Sequence, residues 1–193
     1  MNLYKLHAKP ESLDHHDVAA DHVPYLVWKK YKNKPAELKK REAILAKDAK
    51  TAYYYAYDAL EGRFPAGEAA IAKDPEYAFM YAQYVTQGRF PAGEAAIATN
   101  VEWSYQYASH VLEGRFPAGE AAIATSANRS YQYAAHILEG RFPAGEAAIA
   151  TSAEASLTYA MYVLKGRFPA GEKTIAKSQE YAEKYNDFVK KLK

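Results

Sequence analysis

From residue 42 onward the apolar positions of this chain keep one rhythm. Tyr recurs at 55, 81, 107, 133, 159 and 185, and Ala follows it at 56, 82, 108, 134 and 160. A small residue lies three positions ahead of each Tyr, at Ala52, Ala78, Ser104, Ser130, Ser156 and Ala182. Offsets of three and four put these side chains on one stripe of a helix. Between the stripes stands a fixed string, GRFPAGEAAIA, at 62–72, 88–98, 114–124 and 140–150, with GRFPAGEKTIA at 166–176; each copy starts 26 residues after the last.

The string and its flanks predict a helix–turn–short-helix unit. Asp48, Asp74, Asn100, Ser126, Ser152 and Ser178 are all residue types that cap helix N-termini. From each of the first five a helix of about 13 residues leads to Gly62, Gly88, Gly114, Gly140 or Gly166. Glycine is expected there to take the left-handed conformation that ends a helix. Proline then disfavours helical geometry at the preceding Phe and opens a short Ala-rich helix. Neither helix can bury an apolar face alone, so the units must stack, and a fixed period of roughly 20–50 residues marks such arrays.

The expected fold is therefore all-α: a right-handed α-solenoid of about five 26-residue helix–turn–short-helix repeats between degenerate N- and C-terminal capping units. The boundaries read as an N-terminal helical cap over 1–41, the repeat array over 42–177 and a C-terminal capping helix over 178–193. Glu42 to Asp48 falls in register with Glu68 to Asp74, so a degenerate unit precedes the first full one. Residues 1–34 do not follow the period, and short helices are expected near 11–20 and 24–32.

The first, fourth and eighth positions of the long helix differ from unit to unit. They include Tyr54, Tyr77, Met80, Tyr84, Trp103, Gln106, His110, Arg129, Gln132, His136 and Tyr162. Their spacing aligns them on one side of each helix, so stacked units present a strip of Tyr, Trp, Met, Gln, His and Arg. These residue types are favoured in binding surfaces, and the strip is the expected binding face. A plain solvent-exposed face would carry Lys and Glu, which the strip lacks.

Composition narrows the function. Tyr is abundant at 18 and cysteine is absent, which excludes disulfides, thiolate metal sites and Cys nucleophiles. No apolar run approaches the roughly 20 residues that span a bilayer, and the opening residues lack the apolar core of a signal peptide. A soluble, cytoplasmic protein without membrane contact is expected. Residues 1–50 carry 11 basic and 7 acidic groups, residues 165–193 carry 8 and 4, and residues 51–164 carry 6 and 12. The repeats are thus acidic, the opposite of what a nucleic-acid groove needs.

Few constellations carry chemistry. Asp14, His15, His16, Asp17, Asp21 and His22 form the densest group of candidate metal ligands, but their spacing matches no metal signature, and no metal or other cofactor is expected. Arg63, Arg89, Arg115, Arg141 and Arg167 recur once per unit, as do Glu68, Glu94, Glu120, Glu146 and Glu172 five residues later. The simpler reading is a structural Arg–Glu pair at each corner rather than a row of phosphate contacts. There is no glycine-rich phosphate cradle and no catalytic triad pattern, so no enzymatic activity is expected.

The pattern YAxxYAxxVLxGRFPxGExAIA, seen around 77–98 and 107–124, resembles helical repeat proteins of unknown function encoded by tailed bacteriophages. It is more distantly similar to short helical-pair repeats of some intracellular bacteria and large viruses. The resemblance covers about residues 42–193, and the opening LYKLHAKPESLDHHD is also similar to the start of such phage proteins. It implies an α-solenoid made in the cytoplasm of an infected bacterium and carries no catalytic residues to transfer. The expected function is a protein-binding scaffold, with a host protein such as a defence component as the partner that a phage origin implies. The alternatives are a nucleic-acid binder using the aromatic strip and the Arg row, and a binder of a small molecule or signalling nucleotide between repeats. Self-association into a homo-oligomer through the strip is a further expectation.

Overall fold

The structure is a computed structural model, and it describes residues 23–192. Each long helix starts at a polar cap. The Asp74 carboxylate accepts hydrogen bonds from the Glu76 and Tyr77 amides, Asn100 does the same for Glu102 and Trp103, and Ser126 accepts from the Arg129 amide. Asp48 and Ser152 cap in the same way, whereas Ser178 occupies the cap position without a side-chain bond. The long helices are α3 (Ala49–Tyr54), α5 (Pro75–Met80), α7 (Val101–His110), α9 (Ala127–His136), α11 (Ala153–Thr158) and the terminal α13 (Gln179–Lys190). Three of them continue into a wider turn, Tyr55–Leu60, Tyr81–Thr86 and Tyr159–Leu164, hydrogen-bonded at i→i+5. In α7 and α9 the widening is confined to the end, where the Tyr107 carbonyl accepts from both Val111 and Leu112.

The termination differs from the expectation that glycine turns left-handed. The residues with positive φ are Glu61, Gln87, Glu113, Glu139 and Lys165, each just before the string, and among the described residues no glycine has positive φ. The glycine instead follows one position later, and its amide bonds six residues back, as Gly62 does to Ala56 and Gly114 to Ala108. This resembles a Schellman ending made one residue wider by the i→i+5 turn, with the left-handed position held by a long polar side chain. The other glycine of the string is the sterically constrained one: a Cβ at Gly119 would lie 2.5 Å from the Phe116 ring and 2.7 Å from Ser104.

Phe then stays near-extended (φ −120° at Phe64), and Pro opens the short helix. The short helices are α4 (Pro65–Ile71), α6 (Pro91–Ile97), α8 (Glu120–Ile123), α10 (Glu146–Ile149) and α12 (Pro169–Ile175), with α8 and α10 preceded by a tight turn at Pro117–Gly119 and Pro143–Gly145. Each packs on the long helix of its own unit, and long helices pack on long helices of neighbouring units. The result is an α-solenoid of stacked helical pairs.

The core runs along the seam between the two rows. Tyr55, Tyr81, Tyr107, Tyr133, Tyr159 and Tyr185 are buried, with Phe64, Phe90, Phe116, Phe142 and Phe168 and the Ile at the end of each short helix. Buried Ser104, Ser130 and Ser156 donate to the carbonyls of Ile97, Ile123 and Ile149 in the unit before.

At the N-terminal end α1 (Val23–Tyr31) and α2 (Pro35–Leu45) complete the array. Helix α2 packs on α4 in the short-helix row, and α1 packs on α3 and on Tyr55–Leu60 in the long-helix row. Helices α1 and α2 thus extend the two-row packing ahead of residue 42, where the repeat residues do not recur. The helix expected near 24–32 is α1; the one expected near 11–20 lies outside the described residues. Among the described residues no helix is long and apolar enough to cross a membrane.

A candidate binding groove

The recurring corner forms a closed polar network. The Arg63 guanidinium makes two hydrogen bonds to Glu68, at 2.8 and 2.9 Å. Glu68 also accepts from the Tyr81 hydroxyl of the next unit, and that hydroxyl accepts from the buried Phe64 amide at 2.9 Å. The same set recurs as Arg89–Glu94–Tyr107, Arg115–Glu120–Tyr133, Arg141–Glu146–Tyr159 and Arg167–Glu172–Tyr185. Burial, with the carboxylate as hydrogen-bond partner, pushes the phenols of Tyr81, Tyr107, Tyr133 and Tyr159 up to about 12. The Arg hydrogen bonds hold Glu68, Glu94 and Glu172 below the ordinary carboxylate range. Each Arg of the row is thus neutralised within its own unit, which works against phosphate binding.

The variable positions behave differently. The fifth residue of each of the first five long helices is large: Tyr53, Phe79, Tyr105, Tyr131 and Leu157. The third residue of the next long helix lies on it in the first three seams. Tyr77 sits 5.8 Å from Tyr53, Trp103 stacks 5.3 Å from Phe79, and the Arg129 guanidinium lies 4.7 Å over Tyr105. Arg129 is further tied to the Glu102 carboxylate at 2.6–2.9 Å and donates to Gln132. Tyr77, Trp103 and Arg129 are therefore half-buried seam residues between units rather than freely displayed side chains.

Over the first three units these seams leave an open groove of about 450 Å³. Tyr53, Tyr54, Tyr57, Phe79, Met80, Gln83, Tyr84, Trp103, Gln106 and His110 line it. Tyr57 stacks on Tyr53 and meets Tyr84 edge-on at 6.2 Å. His110 stands at the exposed rim, its Nδ1 3.2 Å from the Gln106 carbonyl. Of the strip predicted from sequence, Tyr54, Met80, Tyr84, Trp103, Gln106 and His110 meet in the groove. Tyr77, Arg129 and Gln132 lie in seams beside it, while exposed His136 and Tyr162 lie further along the array. Tyr53, Tyr57, Phe79 and Gln83 were missed. The large residue at the fifth helix position of the first five units was the signal for two of them.

Among the described residues no three His, Asp or Glu side chains converge on a metal position. His15, His16 and His22 lie outside them. No family model, curated relative or solved structure matches the chain.

Proposed function

We propose that this chain is a non-enzymatic α-solenoid scaffold that docks a protein partner in the aromatic groove of its first three repeat units. The supporting observation is the groove itself: constant corners set the helix spacing, and residues that differ from unit to unit line one concavity. Aromatic side chains with few rotatable bonds, set in a recess, are what anchors of protein interfaces require. The resemblance to phage repeat proteins makes a host bacterial protein the partner class and the host cytoplasm the setting.

The volume also falls within the range of roughly 300–1,000 Å³ typical of small-molecule pockets, which favours a small ligand as the second reading. Affinity capture from bacterial lysate with wild type and with the double variant Trp103→Ala, Tyr84→Ala tests the first. A partner retained by wild type and by the remote variant His136→Ala, but lost by the double variant at unchanged helicity, is expected. Equal recovery by both removes the groove from the function. Native mass spectrometry of the purified chain reads out the small-ligand alternative.

A further inference from the structure

The chemistry of the groove selects among partner side chains. Six of its lining residues are aromatic, and no Lys or Arg lines it among the described residues. Aromatic faces carry the negative part of a quadrupole and attract cations. Residues 51–164 carry twice as many acidic as basic groups. Two amides complete the surface. Gln106 spends its Nε2 on Glu102, and its Oε1 accepts no bond from the described residues. Gln83 makes no side-chain hydrogen bond to them either. Bare acceptor oxygens beside aromatic faces suit a flat cation with several donors.

The chain already contains that solution one unit further on. Arg129 lays its guanidinium over Tyr105, donates from Nη1 to Gln132 at 2.6 Å and pairs with Glu102. Tyr105 and Gln132 stand one period after Phe79 and Gln106, which belong to the groove. In the second seam Trp103 stands at the Arg129 position and covers Phe79, so the groove beside it keeps the aromatic faces of Tyr57, Tyr84 and Trp103 and the two amides, with no cation among the described residues lining it.

We infer that the groove receives an arginine side chain of the partner protein, stacked on its aromatic wall and hydrogen-bonded to the Gln83 and Gln106 amide oxygens. The inference rests on the protein-docking reading of this groove and adds the chemistry of the anchor. Lysine lacks the planar fork that stacks and donates at once. An apolar anchor would cover both amides without giving them a partner, at the cost of their desolvation.

The test is NMR titration of the full-length chain with seven-residue Gly/Ser peptides carrying a central Arg, Lys, citrulline or Leu. Citrulline keeps the planar shape of Arg and removes the charge. The Arg peptide is expected to shift the Trp103 indole and Gln106 amide signals saturably. Citrulline and Lys should bind at least about fivefold more weakly, the scale of one cation–π contact or bidentate donor. Gln106→Leu should weaken the Arg peptide and not the others. A Leu or citrulline peptide that matches Arg overturns the inference while leaving the groove a docking site. The inference also falls alone if no peptide moves these signals yet partner capture still depends on Trp103 and Tyr84. Signals that move only with protein concentration assign the groove to a second copy of the chain and overturn it too.

Discussion

Tyr133 joins two units through one oxygen atom. Its hydroxyl accepts from the buried Phe116 amide and donates to Glu120, which Arg115 holds from the other side. Phe64, Phe90, Phe116, Phe142 and Phe168 all point their amides at such a hydroxyl. The exposed Arg contributes little energy by itself, because solvent screens its pair with Glu. Its role is to fix the carboxylate that orients the phenol. Tyr133→Phe leaves a buried N–H without an acceptor and is expected to lower stability by about 1–3 kcal/mol in urea unfolding. The pH profile gives the same variant a second readout. Phenols that titrate near 10 when unfolded are raised to about 12 in the fold. Their contribution is fully present below pH 10. Above it the unfolded chain sheds protons that the folded chain retains, so stability falls as pH rises towards 12. Tyr133→Phe removes one of these phenols and should make that fall shallower. An unchanged alkaline slope would mean that Tyr133 does not titrate with folding.

At the scale of one element, the helix end is where sequence and structure part. Both glycines of GRFPAG invite a conformational explanation, but only the second is pinned by packing, against Phe116 and Ser104 at Gly119. The first would bring a Cβ into only ordinary contact with a backbone carbonyl, 3.6 Å from Leu112 at Gly114, and sits outside the left-handed region. The strain lies on Glu113, at φ 46°, where a side chain costs about 1–2 kcal/mol relative to the right-handed conformation. Glu113→Gly should therefore raise stability, by up to about 1 kcal/mol once the greater freedom of glycine in the unfolded chain is subtracted. Gly114→Ala should change it little. Thermal unfolding of the two variants checks both, and a destabilised Glu113→Gly would show that the Glu side chain contributes more than its backbone strain costs.

The period, the caps, the Tyr stripe and the Phe-Pro opening were legible because each is local and repeated. The one-residue offset of the left-handed position was not, because the i→i+5 widening at the helix end moves the termination point without altering residue type. The groove was half legible for a related reason. Tyr54, Met80, Tyr84, Trp103, Gln106 and His110 vary between units and so stand out against a constant frame. Tyr53 and Phe79 are as periodic as the core and do not. The Arg129–Glu102 pair, 27 residues apart, crosses a unit boundary that comparison of aligned positions cannot reveal.

For the whole molecule, stacking in one direction makes each unit answer only to its neighbours, so excising a unit tests the seams rather than the corners. Removing residues 88–113 or residues 114–139 deletes 26 residues in either case and rejoins the chain at the same glycine of the string. Every remaining corner keeps its Arg, Glu, Tyr and Phe. The seams differ. Without 114–139, α7 meets α11: Tyr105 faces Ala155 in place of Arg129, and Glu102 loses its guanidinium. Without 88–113, α5 meets α9: Arg129 comes over Phe79 in place of the stacked Trp103, and Glu76, one period before Glu102, takes up the carboxylate position. Both shortened chains should remain helical and unfold cooperatively. The chain lacking 114–139 should melt several degrees lower, roughly 2–8 °C for each kcal/mol of seam lost. Docking should follow the reverse order. The groove survives loss of 114–139 and loses Trp103, Gln106 and His110 with 88–113. Calorimetry and partner capture on the two deletions then separate the seam from the site. Equal melting temperatures would show that the Arg129–Glu102 seam contributes no more than the Phe79–Trp103 stack that the other deletion removes.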